Sequence, residues 1–171
     1  MTREAEISFA QVFNMNAGTD EEKGKLIMDI VQFYVEGEVH DHASYLVDAL
    51  IDTNPCLKEW AVMADLLLGD SLDAASEAPL IEVMTCAARQ ACTGEYPVGR
   101  MVVKRGAPAY QKEQRVLKEE RKQLSLVFIP LMPALLQKFM ADRDKVAALT
   151  TLPMHFNLDF YMTTHAEKHC T

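Results

Sequence analysis

Two side chains in this sequence are suited to reading an aromatic partner: Trp60, its one tryptophan, and Arg89. An indole offers a broad apolar face and a single N–H donor. A guanidinium stacks on such a face, worth about 0.5–1 kcal/mol when exposed and more when desolvated. Trp and Arg are also the residue types most enriched at binding hot spots. Asn54-Pro55 opens a predicted helix over 54–68, because Asn caps free N–H groups and Pro at the first position sacrifices none. Leu57, Trp60, Ala61, Ala64, Leu67 and Leu68 recur along it at helical spacing, and Gly69-Asp70 ends it. A second predicted helix covers 77–92, with Leu80, Ile81, Met84, Ala87, Ala88 and Ala91 as its buried stripe. The midpoint between Trp60 and Arg89 falls in the predicted loop 69–76. Both helices rise about 1.5 Å per residue, so an antiparallel hairpin sets the two side chains level, where a visitor's ring could dock. The same spacing also suits a core tryptophan beside a solvated arginine.

Other clusters carry weaker chemistry. Arg100, Lys104, Arg105, Lys112, Arg115, Lys118, Arg121 and Lys122 outnumber Glu113, Glu119 and Glu120. Arg100, Lys104 and Arg105 are candidates to touch phosphates or an acidic partner; a solvated loop and helix face is the plainer reading. His165 and His169 stand at i and i+4, a spacing zinc can use. The metalloprotease pattern needs Glu after the first His, and Ala166 stands there, so no metal site is expected. No phosphate-cradling Gly-rich loop, nucleophile elbow or Cys–His pairing appears. No enzymatic activity and no cofactor are expected.

The elements that must position these residues read as helices throughout. Predicted helices cover 2–14, 19–36 and 39–52 ahead of the Trp60 and Arg89 helices. Thr19-Asp20-Glu21-Glu22 forms a capping box for the second, whose apolar face is Leu26, Ile27, Ile30, Val31 and Tyr34. Ala43, Leu46, Val47 and Leu50 build the third. Pro97, Gly99, Gly106 and Pro108 mark a connecting loop over 93–109. A long helix over 110–140 is expected to kink, or split near Phe128, at Pro130 and Pro133. A short helix over 142–149, a break at Pro153 and a final helix near Thr163 follow. Helix pairs with short connections predict an all-α chain, an α-solenoid, with a compact bundle as the alternative. Residues 1–171 read as a single segment.

At 171 residues the chain can bury a sizeable core, and a net charge of −8 argues against general attraction to nucleic acid. No apolar run reaches the roughly 18–20 residues that span a bilayer, so no membrane partner is expected. The N-terminus lacks a secretory pattern. Cys56, Cys86, Cys92 and Cys170 show no disulfide framework and read as reduced thiols.

Residues 36–52, Glu-Gly-Glu-Val-His-Asp-His-Ala-Ser-Tyr-Leu-Val-Asp-Ala-Leu-Ile-Asp, resemble the Glu-His-Ala-Ala-Tyr-Leu-Val-Asp stretch of the stromal-antigen (stromalin) subunits of cohesin. The likeness continues through Leu57-Lys58-Glu59-Trp60, Leu66-Leu67-Leu68, Leu80-Ile81-Glu82-Val83-Met84, Cys86, Arg89-Gln90-Ala91 and Pro97-Val98-Gly99-Arg100. It returns in Phe156-Asn157-Leu158-Asp159-Phe160-Tyr161 and Glu167-Lys168-His169. The resemblance implies a piece of a longer curved solenoid of HEAT-like helical hairpins, a fragment, partial gene model or truncated isoform. It implies binding to the cohesin kleisin subunit, and to aromatic-x-aromatic motifs of regulators such as shugoshin and CTCF. Trp60 and Arg89 match the family's motif pocket, and Phe9 its third aromatic. Sister-chromatid cohesion, chromosome segregation, chromatin loop organisation, contact with DNA through the full complex, and a nuclear, chromosomal and centromeric location follow from the same resemblance. The rivals are an unrelated helical-repeat adaptor and a metal-dependent hydrolase at His165 and His169.

Overall fold

A computed structural model describes residues 18–37, 42–95 and 108–163, with side chains from 113 onward in the last stretch. Among the described residues the chain is helical without strands. Its helices are α1 (Asp20–Gly37), α2 (Ala43–Leu50), α3 (Trp60–Leu68), α4 (Ala74–Thr93), α5 (Pro108–Lys138), α6 (Arg143–Leu149) and α7 (Leu158–Thr163). Two 3-10 turns, Pro55–Lys58 and Leu152–His155, sit before α3 and after α6. The expected all-α architecture holds. The predicted helix over 2–14 lies outside the described residues.

Local chemistry sets the helix ends. The capping box forms at α1: the Glu22 N–H donates to Thr19 Oγ1 (3.2 Å), and the Thr19 N–H donates to Glu22 Oε2 (2.9 Å). Asp73 caps α4 by accepting from the Ser76 N–H (3.1 Å), so α4 starts at Ala74, before the predicted 77, and carries Pro79 inside it. Gly94 ends α4 at φ +67°, a left-handed conformation open to glycine. Asp142 caps α6 through the Asp144 and Lys145 N–H groups.

Three expectations change. The predicted helix over 54–68 is broken at Glu59 (φ −83°, ψ 69°), leaving a 3-10 turn and then α3 with Trp60 as its first residue. Asn54 does cap, but it caps that turn, accepting from the Cys56 N–H (3.1 Å). Of the two outcomes expected at Pro130 and Pro133, a kink or a split near Phe128, the split does not occur: the helix runs from Pro108 to Lys138. Packing holds this stretch, with Leu124, Phe128 and Leu135 at 0% exposure on either side of the prolines. The connection predicted over 93–109 gives way to helix at Pro108, and its residues 96–107 lie outside the described set.

The core gathers around α4, which packs against α1, α2, α3, α5, α6 and both 3-10 turns. That surround explains why Val83, Gln90 and Cys92 are buried along with the predicted stripe. Glu82 ties three helices. Its Oε1 accepts from the Tyr34 hydroxyl (3.0 Å) and from the Ala43 N–H (3.3 Å). Burial and then Glu82 push the Tyr34 hydroxyl up to about 12. Lys145 donates to Glu77 (2.6 Å), fastening α6 to α4.

Gly24 lies inside α1 and faces α3. A Cβ there would meet Leu66 Cδ2 and Val62 Cγ1 at 3.8 Å each, ordinary van der Waals contact. Gly24→Ala is therefore expected to stabilise the chain by about 0.5–1 kcal/mol, since alanine restricts the unfolded backbone and favours helix. A urea titration that shows a lower midpoint for the variant would contradict this.

Candidate functional site

Trp60 opens α3 with its ring in the main hydrophobic cluster, 3% exposed. The expectation of an indole open to a visitor is corrected by this burial. The cause is that the apolar stripe to which its spacing assigns it is covered: Leu57, Ala64 and Leu67 are at 0% exposure in the same cluster. Its Nε1 is sealed and has no hydrogen-bond acceptor among the described residues, and the same holds for Asn54 Nδ2 nearby in sequence. Arg89, on α4, is exposed. Among the described residues, no ring–cation contact joins it to Trp60; the contacts seen are Lys122 over Phe160 and Lys138 and Lys145 over Phe139. Phe9, Arg100, Lys104 and Arg105 lie outside the described residues, as do His165 and His169.

Arg89 instead lines a surface groove of about 560 Å³ between the C-terminal part of α4, Arg121 on α5, and the segment from Ala148 to His155. Thr85, Cys86, Thr93, Glu95, Thr151 and Met154 complete its walls. Local bonds hold the walls in place. Arg121 Nε donates to the Cys92 carbonyl at the end of α4 (2.8 Å). Ser125, fully buried, donates to the Arg121 carbonyl (2.6 Å) and accepts the Asn157 N–H (2.7 Å), pinning the chain just after the 152–155 turn to α5. Burial raises the Cys86 thiol and pushes the Cys92 thiol up to about 12, so neither is a ready nucleophile.

His155 is the groove residue that sequence reading missed. It is 7% exposed, and burial followed by the charges of Arg121 and Arg89 holds it below the ordinary value of 6.5. It comes from a turn far along the chain from Arg89, so helical periodicity around either residue gives no sign of the meeting. Because the folded value is lowered, its stabilising contribution is complete above 6.5 and is lost as pH falls through the folded value. His155→Phe is expected to flatten the fall in urea midpoint between about pH 7 and about pH 5. An unchanged slope would remove His155 as the cause.

The comparisons bear on what this arrangement serves. A family model for the cohesin subunit SCC3/SA HEAT-repeats domain matches residues 45–171. The chain is 46% identical over 146 residues to cohesin subunit scc-3 of Caenorhabditis elegans, covering 84% of this chain and 13% of that protein. It is 37% identical over 159 residues to cohesin subunit SA-1 of Xenopus laevis, covering 89% of this chain and 12% of that protein. It is 42% identical over 143 residues to human cohesin subunit SA-3, covering 82% of this chain and 12% of that protein. The chain thus spans 12–13% of the length of these relatives. They are structural subunits of helical repeats and not enzymes, which sets aside both the unrelated adaptor and the hydrolase. Tyr45 in α2 opens the matched span, which runs through every later helix, and the chain belongs to the SCC3/SA family of cohesin subunits, as part of its HEAT-repeat domain.

Proposed function

We propose that this chain acts as a scaffold segment of a regulatory cohesin subunit, holding the kleisin subunit and docking aromatic-x-aromatic motifs of shugoshin- or CTCF-like regulators. By that reading it serves sister-chromatid cohesion, chromosome segregation and chromatin loop organisation in the nucleus, on chromosomes including centromeric regions. It meets DNA through the full complex, with Arg100, Lys104 and Arg105 as contacts to phosphate or an acidic partner. The observation that carries the reading is family membership over residues 45–171.

In the proposed motif site, Arg89 is the outward handle. Its guanidinium makes no hydrogen bond or ion pair among the described residues and stands free to stack on a ring or donate to a peptide carbonyl. Trp60 supports the site from within. A ring docking against it displaces some of its present cover, and its unpaired Nε1–H then has a peptide acceptor to meet. Phe9 is the third aromatic of this reading.

Arg89→Glu is the discriminating variant, because Arg89 is exposed and substitution there leaves the fold within about 0.5 kcal/mol. Calorimetry with a Phe-Ala-Phe peptide, on the chain co-purified with kleisin, is expected to show binding about tenfold weaker than the parent. Equal affinity in parent and variant, or no co-purification with kleisin, would count against the reading.

A further inference from the structure

The Arg89 groove gathers positive charge on a chain whose net charge is −8. Arg89 stands on one wall with a free guanidinium. Arg121 stands on another, its orientation fixed by the bond to the Cys92 carbonyl. His155 is 7% exposed, and its ring has no hydrogen-bond partner among the described residues. His155 is itself one of the residues that line the groove. A polar ring this buried, unpaired and facing a cavity beside two guanidiniums points to an oxygen anion as the missing partner.

We propose that this groove binds the carboxylate side chain of an acidic peptide, gripped by Arg89 and Arg121 and by an N–H of His155. Charge balance selects the ligand. Two guanidiniums against Glu95, the acid among the lining residues, leave one positive charge while His155 is neutral. One carboxylate cancels it; a doubly charged phosphate overfills it. A guanidinium also matches a carboxylate through two parallel N–H bonds. The exposed Met154 at the rim gives the ligand's methylene stem and backbone an apolar rest, which a free ion would not use. The groove shares Arg89 with the aromatic-motif reading but does not rest on that reading.

The test is fluorescence anisotropy on the full chain with a labelled, blocked Ala-Leu-Glu-Leu-Ala peptide, beside versions carrying Gln or phosphoserine in place of Glu. The Glu peptide is expected to bind, and the Gln version to bind about tenfold more weakly. Arg89→Gln is expected to weaken Glu-peptide binding about fivefold, and Thr151→Glu, which places a competing carboxylate at the exposed rim, to do the same with unchanged thermal melts. Equal binding of the Glu and Gln peptides overturns the proposal, as does parent-like affinity in both variants. Tighter binding of the phosphoserine peptide overturns the carboxylate assignment. A Phe-Ala-Phe peptide run in parallel keeps the two readings apart: its failure beside intact Glu-peptide binding counts against the motif site and supports this one.

Discussion

Replacing Trp60 by alanine is expected to lower the stability of the chain by about 3–5 kcal/mol, the range for deleting a buried aromatic ring. The ring is 3% exposed and sits among Leu57, Met63, Ala64 and Leu67 in the main hydrophobic cluster. Domains of this size hold only about 5–15 kcal/mol in total, so the variant stands close to unfolding. Urea titration should show a much lower midpoint with an unchanged slope. A fall under about 1 kcal/mol would mean that the ring is surface after all. The result also bears on motif binding, because loss of binding in Trp60→Ala follows from unfolding as readily as from a lost contact. Trp60→Phe keeps most of the apolar body and removes only the unpaired N–H. With Arg89→Glu it separates contact from support.

What could be read from the sequence was what is decided within a few residues. The Thr19–Glu22 capping box forms because both partners lie in the first turn of α1. Ala43, Leu46, Val47 and Leu50 are all 1% exposed or less, as their spacing predicts. Along α4 the predicted stripe is buried from Leu80 to Ala91. Periodicity also suggested Trp60 correctly as a face residue, but spacing tells which face turns inward and not how completely it is covered. The break at Glu59 escaped because Asn54-Pro55 is an equally good start for a 3-10 turn and for an α-helix. The unbroken α5 escaped because the rule for proline weighs a lost hydrogen bond, while tertiary packing of Leu124, Phe128 and Leu135 decides the outcome.

The candidate site was legible in its residue types and not in its assembly. Arg89 was visible as a charge on a helix, and Arg121 as part of a basic run. Their meeting with His155 depends on α5 crossing α4, as in the Arg121–Cys92 bond, and on Ser125 pinning Asn157, contacts between residues 29 and 32 apart. No local pattern encodes those crossings. Family resemblance located Trp60 and Arg89 as a pair, yet in this segment the indole turns into the core and the guanidinium into a groove on the α5 and 152–155 side. The spacing that sets them level in the hairpin does not fix which way each side chain turns.

Phe128→Ala carries the other large expectation, a loss of about 3–5 kcal/mol. Phe128 is among the largest fully buried side chains and sits on α5 between Ser125 and Met132, both buried. α5 packs against α3, α4, α6 and α7, so a cavity at Phe128 weakens an element that all four rest on. Two prolines follow within five residues, and each removes an N–H from the helix ladder there. With its packing gone, the stretch around Pro130 and Pro133 has least to keep it helical, and the break that proline alone predicts is expected to appear. Hydrogen exchange should then show lost protection over roughly 124–138 first, ahead of α1 and α2. Leu126→Ala is the control: that side chain is 41% exposed, and its loss should leave both the urea midpoint and the exchange pattern near the parent's. Uniform loss of protection across all helices in Phe128→Ala would show that α5 does not open as a separate unit. Loss confined to α5, with Arg121 released from the Cys92 carbonyl, would take the groove apart while α1 and α2 stay packed on α4.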